Sequence, residues 1–551
     1  MPKNLPHITL PRVQIAEKVL QLSQSEIQEW PEHIQDVALD LANELFLIRY
    51  NPFIPAKLVY KNVVNRLKRE TPAIQQDYFS VLQSGLDKFW QEFVEDQKFR
   101  DRVIKRLSQL IPEEEIVTSP NALVESSTDA TDLRMQVPLF LVAPQKTEDV
   151  KNIIAVANEM GFSIIPRGGG SGLTGGAVPT HARSVILSLS RMKSILSVDS
   201  DKFELCAQSG VITLDAIEAA RKKGLLLTID PASKASSSLG GNISENAGGP
   251  LAFEYGTTLD NILNFKMVTP TGELVKIERP EHTRHKIQPE EEITFNILDE
   301  QDNLLDRINL MGKDIRSSWL GKDVSNKYLG GLPGVQKEGV DGIITEACFT
   351  LHPELEHSQT LCLEFYGNSM HNAMLVIKDL VRLRDTIREN NEGVKISALE
   401  EFGSKYVQAI EYRKKSNQYE GDPISVLLMQ LDSSDQGMLA KRTQDVENIA
   451  REYHNVDVFK ARGEQQAKDF WEDRHKLSAI TKRTSGFKIN EDVVIPIDFI
   501  PEFSRHIEAL NLYYLALAYR NALLKVHALE GTEPGDEFID MALNHCSRIF
   551  N

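Results

Sequence analysis

The chain has 551 residues, enough for three or four domains of ordinary size, and 41% of them are hydrophobic, so each domain can bury a core. A formal net charge of −17 argues against nucleic acid as the main partner. No apolar run reaches the roughly 20 residues that span a bilayer, and the first residues lack a signal-like apolar core, so the expected location is cytoplasmic with no transmembrane segment. Cys206, Cys348, Cys362 and Cys546 lie far apart with no C-x-x-C, which predicts neither a disulfide framework nor a zinc or Fe–S cluster. Redox chemistry would then require an organic cofactor.

Residues 1–112 read as helical, with Ile15, Val19 and Leu20, then Val81, Leu82, Leu86 and Phe89, at helical spacing. They carry no visible chemistry and read as a packing or assembly surface. The polar stretch 119–132 reads as a linker or loop. Thr147 stands where it can cap a helix whose apolar face is Val150, Ile153, Ile154 and Ala157 and whose stop is Gly161. A strand over 162–165 then leads into PRGGGSGLTGGAVP at residues 166–179. Glycine takes positive φ without strain and has no Cβ, so successive N–H groups can turn inward around an anion, here a nucleotide diphosphate.

Residues 170–175 fit G-x-G-x-x-G, but Gly175, Gly176 and Pro179 interrupt the helix that a βαβ dinucleotide fold needs. Asp199 lies at the distance of a ribose-binding acid, yet one carboxylate is weak support, and no Gly-Lys-Ser/Thr follows to make a P-loop. Apolar segments on both sides distinguish the loop from a solvated linker. A strand over 185–189 and a helix over 213–223 ended by Gly224 follow. Beyond them come Asp230-Pro231, Ser236-Ser237-Ser238-Leu239-Gly240-Gly241-Asn242, Asn246-Ala247-Gly248-Gly249 and Tyr255-Gly256. These small residues place donors and acceptors near the backbone, which suits a pyrophosphate, a ribityl chain or a ring edge. Pro270-Thr271-Gly272 turns a hairpin between 262–269 and 274–277, and the charged stretch 280–319 reads as a surface insertion.

In order and content these segments, with Ser127-Thr128-Asp129-Ala130 ahead of Pro138, residues 187–192 LSLSRM and residues 342–345 GIIT, resemble the FAD-binding domain of the vanillyl-alcohol oxidase and p-cresol methylhydroxylase superfamily. The resemblance covers about residues 125–355. Within the superfamily the chain is similar to the branch of D-lactate, glycolate and D-2-hydroxyglutarate dehydrogenases, including large flavin dehydrogenases in which such a module is fused to a longer C-terminal portion. The resemblance implies an α+β fold class: a two-subdomain FAD-binding fold over 113–355, an N-terminal helical region over 1–112, and a substrate-cap domain over 356–551 that reads as incomplete. It implies that Pro166, Arg167, Gly168, Gly169, Gly170, Ser171, Gly172, Thr174 and Gly175 wrap the FAD pyrophosphate. Asp230, Pro231, Ser236, Ser237, Gly240, Gly241, Asn242, Ser244, Asn246, Gly248, Tyr255 and Gly256 would line the flavin or ribityl chain, with Ile343 and Thr345 beside the adenosine or isoalloxazine. Ser171 stands where some relatives carry a histidine that bonds flavin covalently, so FAD is expected to be non-covalent. Residues 332–341, LPGVQKEGVD, depart from the family's GSEGTLG-like segment, keeping Glu338-Gly339.

Residues 356–551 resemble the start of the substrate-covering domain, with Ala398-Leu399-Glu400-Glu401 and Asp469-Phe470-Trp471-Glu472-Asp473-Arg474. The resemblance implies that Arg474 and Lys488 bind a substrate carboxylate, as cationic donors suit a planar anion. The branch's H-x-G-D-G-N-x-H and its later acidic metal ligand and catalytic histidine have no counterpart, and His527 and His545 fall in no metal-ligand spacing. The expectation is therefore an FAD-dependent dehydrogenase moving hydride from a 2-hydroxy acid to FAD, with no metal ligands and with the base half of the site missing from this chain. A C-terminal continuation or partner chain would complete it, and a separate electron acceptor would reoxidise it. A flavoprotein acting on a sugar or alcohol, or a non-catalytic flavin-binding or assembly module, are the alternatives.

Overall fold

A computed structural model describes residues 12–70, 74–131, 133, 136–315, 331–476, 495–527 and 537–550. Helices Arg12–Leu20, Gln24–Gln28, Glu32–Tyr50 and Ala56–Glu70 pack with the first half of the 32-residue helix Gln76–Leu107. The second of these starts at a capping box in which Ser23 Oγ accepts from Glu26 N at 3.3 Å and Glu26 Oε2 accepts from Ser23 N at 2.7 Å. Along the long helix, Leu82, Leu86 and Phe89 enter the bundle core, while Phe99, Val103 and Leu107, on the same i, i+4 spacing, enter the core of the next unit. One apolar stripe thus ties two cores together. Val81, read from the sequence as part of that stripe, is 42% exposed, because the stripe turns past it.

That next unit is a four-stranded sheet ordered Ile116–Val117, Leu141–Val142, Ser184–Ser188, Ser163–Arg167, its last three strands parallel. Helix Thr147–Met160 makes the crossover and buries Val150, Ile153, Ile154, Val156 and Ala157. Lys146, not Thr147, occupies the N-cap position and makes no side-chain cap, whereas Gly161 closes the helix at φ 75°. The stretch expected to be linker or loop contains helix Pro120–Ser126, for which Pro120 supplies a first-turn residue with its φ already set.

A seven-stranded antiparallel sheet follows, ordered Leu304–Met311, Glu292–Leu298, Leu274–Glu278, Ile262–Val268, Ile343–Thr350, Glu204–Gln208, Ile195–Asp199. Helices Thr213–Arg221 and Leu239–Glu245 cover one face over a core that includes Leu205, Phe265, Met267 and Phe349. Two sequence expectations change here. The charged stretch 280–319 is no mere surface insertion, since its residues 292–311 form a hairpin that extends this sheet and buries Ile293, Phe295 and Leu310 by strand alternation. The cysteines do pair, because antiparallel register sets Cys206 directly opposite Cys348, and the two form a disulfide although 142 residues separate them. Sequence spacing carried no trace of that neighbourhood.

The third sheet is antiparallel, ordered Val394–Gly403, Ser425–Ser433, His357–Phe365, Val456–Lys460. Helices His371–Glu389 and Gln436–Arg451 cover one face, and Glu464–His475 with Ser404–Ala409 cover the other. Helix Ile500–His527 packs on His371–Glu389 and on Glu537–Phe550. Among the described residues no helix is long and apolar enough to cross a membrane.

Candidate active site

A cleft of about 1710 Å³ opens between the glycine loop, the 231–256 segment and the third sheet with its helices. Ligand pockets usually measure roughly 300–1,000 Å³, so this one has room for a dinucleotide and a small second molecule. The glycine loop begins where strand Ser163–Arg167 ends and continues as irregular backbone, without the helix of a βαβ site. Arg167 pins it, donating from Nη1 to Thr128 O at 2.8 Å and to Ala177 O at 3.4 Å, so both ends of the loop hang on one guanidinium.

Glycine is required at two points for a stated reason. A Cβ on Gly169 would lie 1.8 Å from Ser236 O, and one on Gly168 would lie 2.2 Å from Ser238 Oγ. The loop is therefore pressed against residues 236–241 backbone to backbone. Among the described residues, the N–H groups of residues 169–174 donate to no backbone carbonyl. Such a bare-backbone wall with free donors fits a pyrophosphate. Asp199, by contrast, caps its own turn by accepting from Asp201 N and Lys202 N at 3.0 Å, away from the cleft.

Of the residues expected to hold the cofactor, Pro166, Arg167, Gly168, Gly169, Gly170, Ser171, Gly172, Thr174, Pro231, Ser237, Gly240, Gly241, Asn242, Ser244, Asn246, Gly248 and Gly256 line this cleft. Some of them already spend their polar groups on structure. Asn242 Nδ2 donates to Thr213 Oγ1 at 2.8 Å, Thr213 Oγ1 lies 2.8 Å from Ser237 Oγ, and Asn246 Oδ1 accepts from Leu259 N at 2.9 Å.

Six others are placed elsewhere. Gly175 turns at φ 89° behind the loop beside Leu133, and Ser236 contributes its carbonyl to the loop contact. Tyr255 is buried against His352, with ring centroids 4.7 Å apart. Ile343 packs in the core of the parallel sheet and Thr345 is fully buried, while their neighbours Gly342 and Ile344 line the cleft, as the two-residue period of a strand dictates. Asp230 sits beneath the Gly248-Gly249 turn, where its Oδ1 accepts from Leu251 N at 3.3 Å and burial pushes its pKa up to about 7 against the pull of Lys234 and Arg474.

Across the cleft, Arg474 is 7% exposed and its Nε donates to Glu400 Oε2. Lys488 lies outside the described residues. Glu338 also lines the cleft, and its N donates to Ser244 O at 2.9 Å, so the atypical 332–341 segment is tied to helix Leu239–Glu245. The sequence reading missed Arg384, Phe253, Glu400 and Glu401 as wall residues, although Glu400 and Glu401 lay within a quoted motif. Burial raises the Glu401 pKa, opposed by Ser425 Oγ donating at 2.6 Å. Arg384 lies over the Phe253 ring at 4.3 Å and is held by Asp385 at 2.7 and 2.9 Å. Among the described residues no three His, Cys, Asp or Glu side chains are grouped to hold a metal.

Comparison with known proteins agrees with this geometry. The family described as FAD binding domain matches residues 138–278, and the family described as FAD linked oxidases, C-terminal domain, matches residues 369–518. The chain is 28% identical to the glycolate oxidase subunit GlcD of Bacillus subtilis over 70% of each chain. It is 26% identical to the D-lactate dehydrogenase of Anaerostipes hadrus over 75% of this chain and 77% of that protein. The solved structure of alkyldihydroxyacetonephosphate synthase shares the fold at a TM-score of 0.50 and 18% identity, over 70% of this chain and 64% of that one. The expectation that the base half of the site is missing finds no support, since the family of FAD-linked oxidase C-terminal domains matches residues 369–518 of the cap region. The two family matches, one an FAD-binding domain and the other the C-terminal domain of FAD-linked oxidases, make this protein an FAD-linked oxidoreductase with FAD as its cofactor.

Proposed function

We propose that the protein oxidises a 2-hydroxy acid, holds FAD without a covalent bond, and passes the electrons to a separate acceptor. The observation that carries the reading is Arg474, a buried cation on the cleft wall opposite the glycine loop. Its bond to Glu400 fixes the guanidinium plane, and the Nη groups keep further N–H donors for a planar carboxylate. The names of the relatives, glycolate oxidase and D-lactate dehydrogenase, both refer to 2-hydroxy acids. Lys488 is kept as a second carboxylate ligand on sequence grounds alone. Bound FAD supplies the hydride acceptor. Glu401, which also lines the cleft and whose pKa is raised by burial, takes the hydroxyl proton on its carboxylate.

Anaerobic mixing with 2-hydroxy acids tests this: at least one should bleach the flavin, and Arg474→Met should raise KM for it by about 10-fold or more while FAD content is unchanged. Bleaching by a sugar or an aromatic alcohol, with every 2-hydroxy acid inert, would overturn the reading. Non-covalent attachment through a loop that carries Ser171 is checked by denaturation, which should release all flavin into the supernatant.

A further inference from the structure

We propose that the substrate is a 2-hydroxy acid with a large apolar body, and that the wall formed by helices His371–Glu389 and Ile500–His527 receives that body; this rests on the 2-hydroxy acid reading above. Met370, Met374, Leu399, Ile500, Phe503 and Ile507 all line the cleft. Most are only half-buried, so they keep apolar surface open to it.

The apolar wall adjoins the polar end. At Gly403 a Cβ would lie 3.7 Å from Met370 Cε and 4.0 Å from Glu401 Oε1, so a methionine of the wall and the carboxylate assigned to the proton meet at one point. Leu399 stands two residues before Glu401 on strand Val394–Gly403, so the two share one face.

Several polar groups along the wall are committed to building it. Ser504 Oγ donates to Pro501 O at 2.9 Å, and Glu508 accepts from Met370 N at 2.7 Å and from Ser369 Oγ at 3.2 Å, which clamps one helix to the other. Arg384 is held by Asp385 and laid on Phe253, so a second substrate carboxylate at Arg384 would have to break that pair. An alkyl or aryl group instead covers surface that a lactate or glycolate molecule would leave wet.

The test uses the holoprotein under anaerobic conditions and reads flavin reduction with 2-hydroxyoctanoate and 3-phenyllactate against lactate, glycolate and 2-hydroxyglutarate. The apolar pair should be favoured in kcat/KM on the order of 10-fold or more, the scale of methylene discrimination in an apolar pocket. Phe503→Ser and, independently, Met374→Ser should shrink the ratio of 2-hydroxyoctanoate to lactate. Equal or faster reduction by the short or dicarboxylic acids sinks this inference and leaves the 2-hydroxy acid reading intact. Reduction by none of the five removes both.

Discussion

At Gly169 a single Cβ would meet a backbone carbonyl, which cannot rotate away as a side chain would. Gly169→Ala should therefore fold but lose most of its FAD, checked as flavin per protein after purification with the circular dichroism spectrum retained. Gly161→Ala serves as the contrast: its φ is 75° but nothing lies within 4 Å, so only about 1–2 kcal/mol of left-handed strain is at stake and the FAD stays. Asp230 yields a pH prediction. Its folded pKa of about 7 lies above the ordinary 3.8, so the native state holds the extra proton between those values. The stability it contributes is complete below the lower value and is lost as pH rises through the upper one. Asp230→Asn keeps an acceptor for Leu251 N without the charge, so its Tm relative to wild type should rise between about pH 4 and pH 7, by roughly 2–4 °C per kcal/mol. A flat difference would show that Asp230 is ionised with little penalty. At this scale the sequence was legible where chemistry needs bare backbone, as in the glycine run. It did not show that Tyr255, Ile343 and Thr345 would be buried, because which side of a wall a residue faces depends on the elements packed around it.

Individual elements show how local and distant requirements combine. Strand His357–Phe365 buries Glu364 completely, and its carboxylate accepts from Tyr366 OH at 2.6 Å, Tyr412 OH at 2.8 Å, Lys415 N at 2.7 Å and Ser416 N at 2.9 Å. This one side chain holds the 412–416 loop to the sheet. Glu364→Ala leaves three buried donors and one half-buried donor unmatched and should cost about 3–5 kcal/mol, read as a fall in Tm. Nothing in the sequence marked Glu364, since a lone glutamate in a strand looks like an outward-facing charge. The hairpin at 292–311 is the opposite case. Alternation of Ile293 and Phe295 with polar residues was present in the sequence, but the surrounding charge masked it.

For the whole molecule, helix Gln76–Leu107 acts as a strut between the bundle and the parallel sheet, reinforced by Arg183 donating to Asp96 at 3.0 Å and by the Arg106–Glu159 pair at 3.0 Å. Glu95 is an exposed position between the two stripes, so Glu95→Pro should break the helix at a cost of about 3 kcal/mol with little lost packing. Limited proteolysis should then separate the bundle from the rest, and a variant as resistant as wild type would show that the two cores do not depend on the strut. By itself the sequence determined the helical nature of the N-terminal region and a backbone-lined glycine loop, because periodicity and glycine freedom act over a few residues, while its resemblance to a flavoprotein family implied the α+β class and the FAD-binding module. Only the tertiary structure decided that Cys206 meets Cys348, that Arg474 and the loop some 300 residues earlier line one cleft, and that an apolar wall flanks Glu401. Those neighbourhoods arise from sheet register and helix packing between distant segments, which local residue patterns do not record.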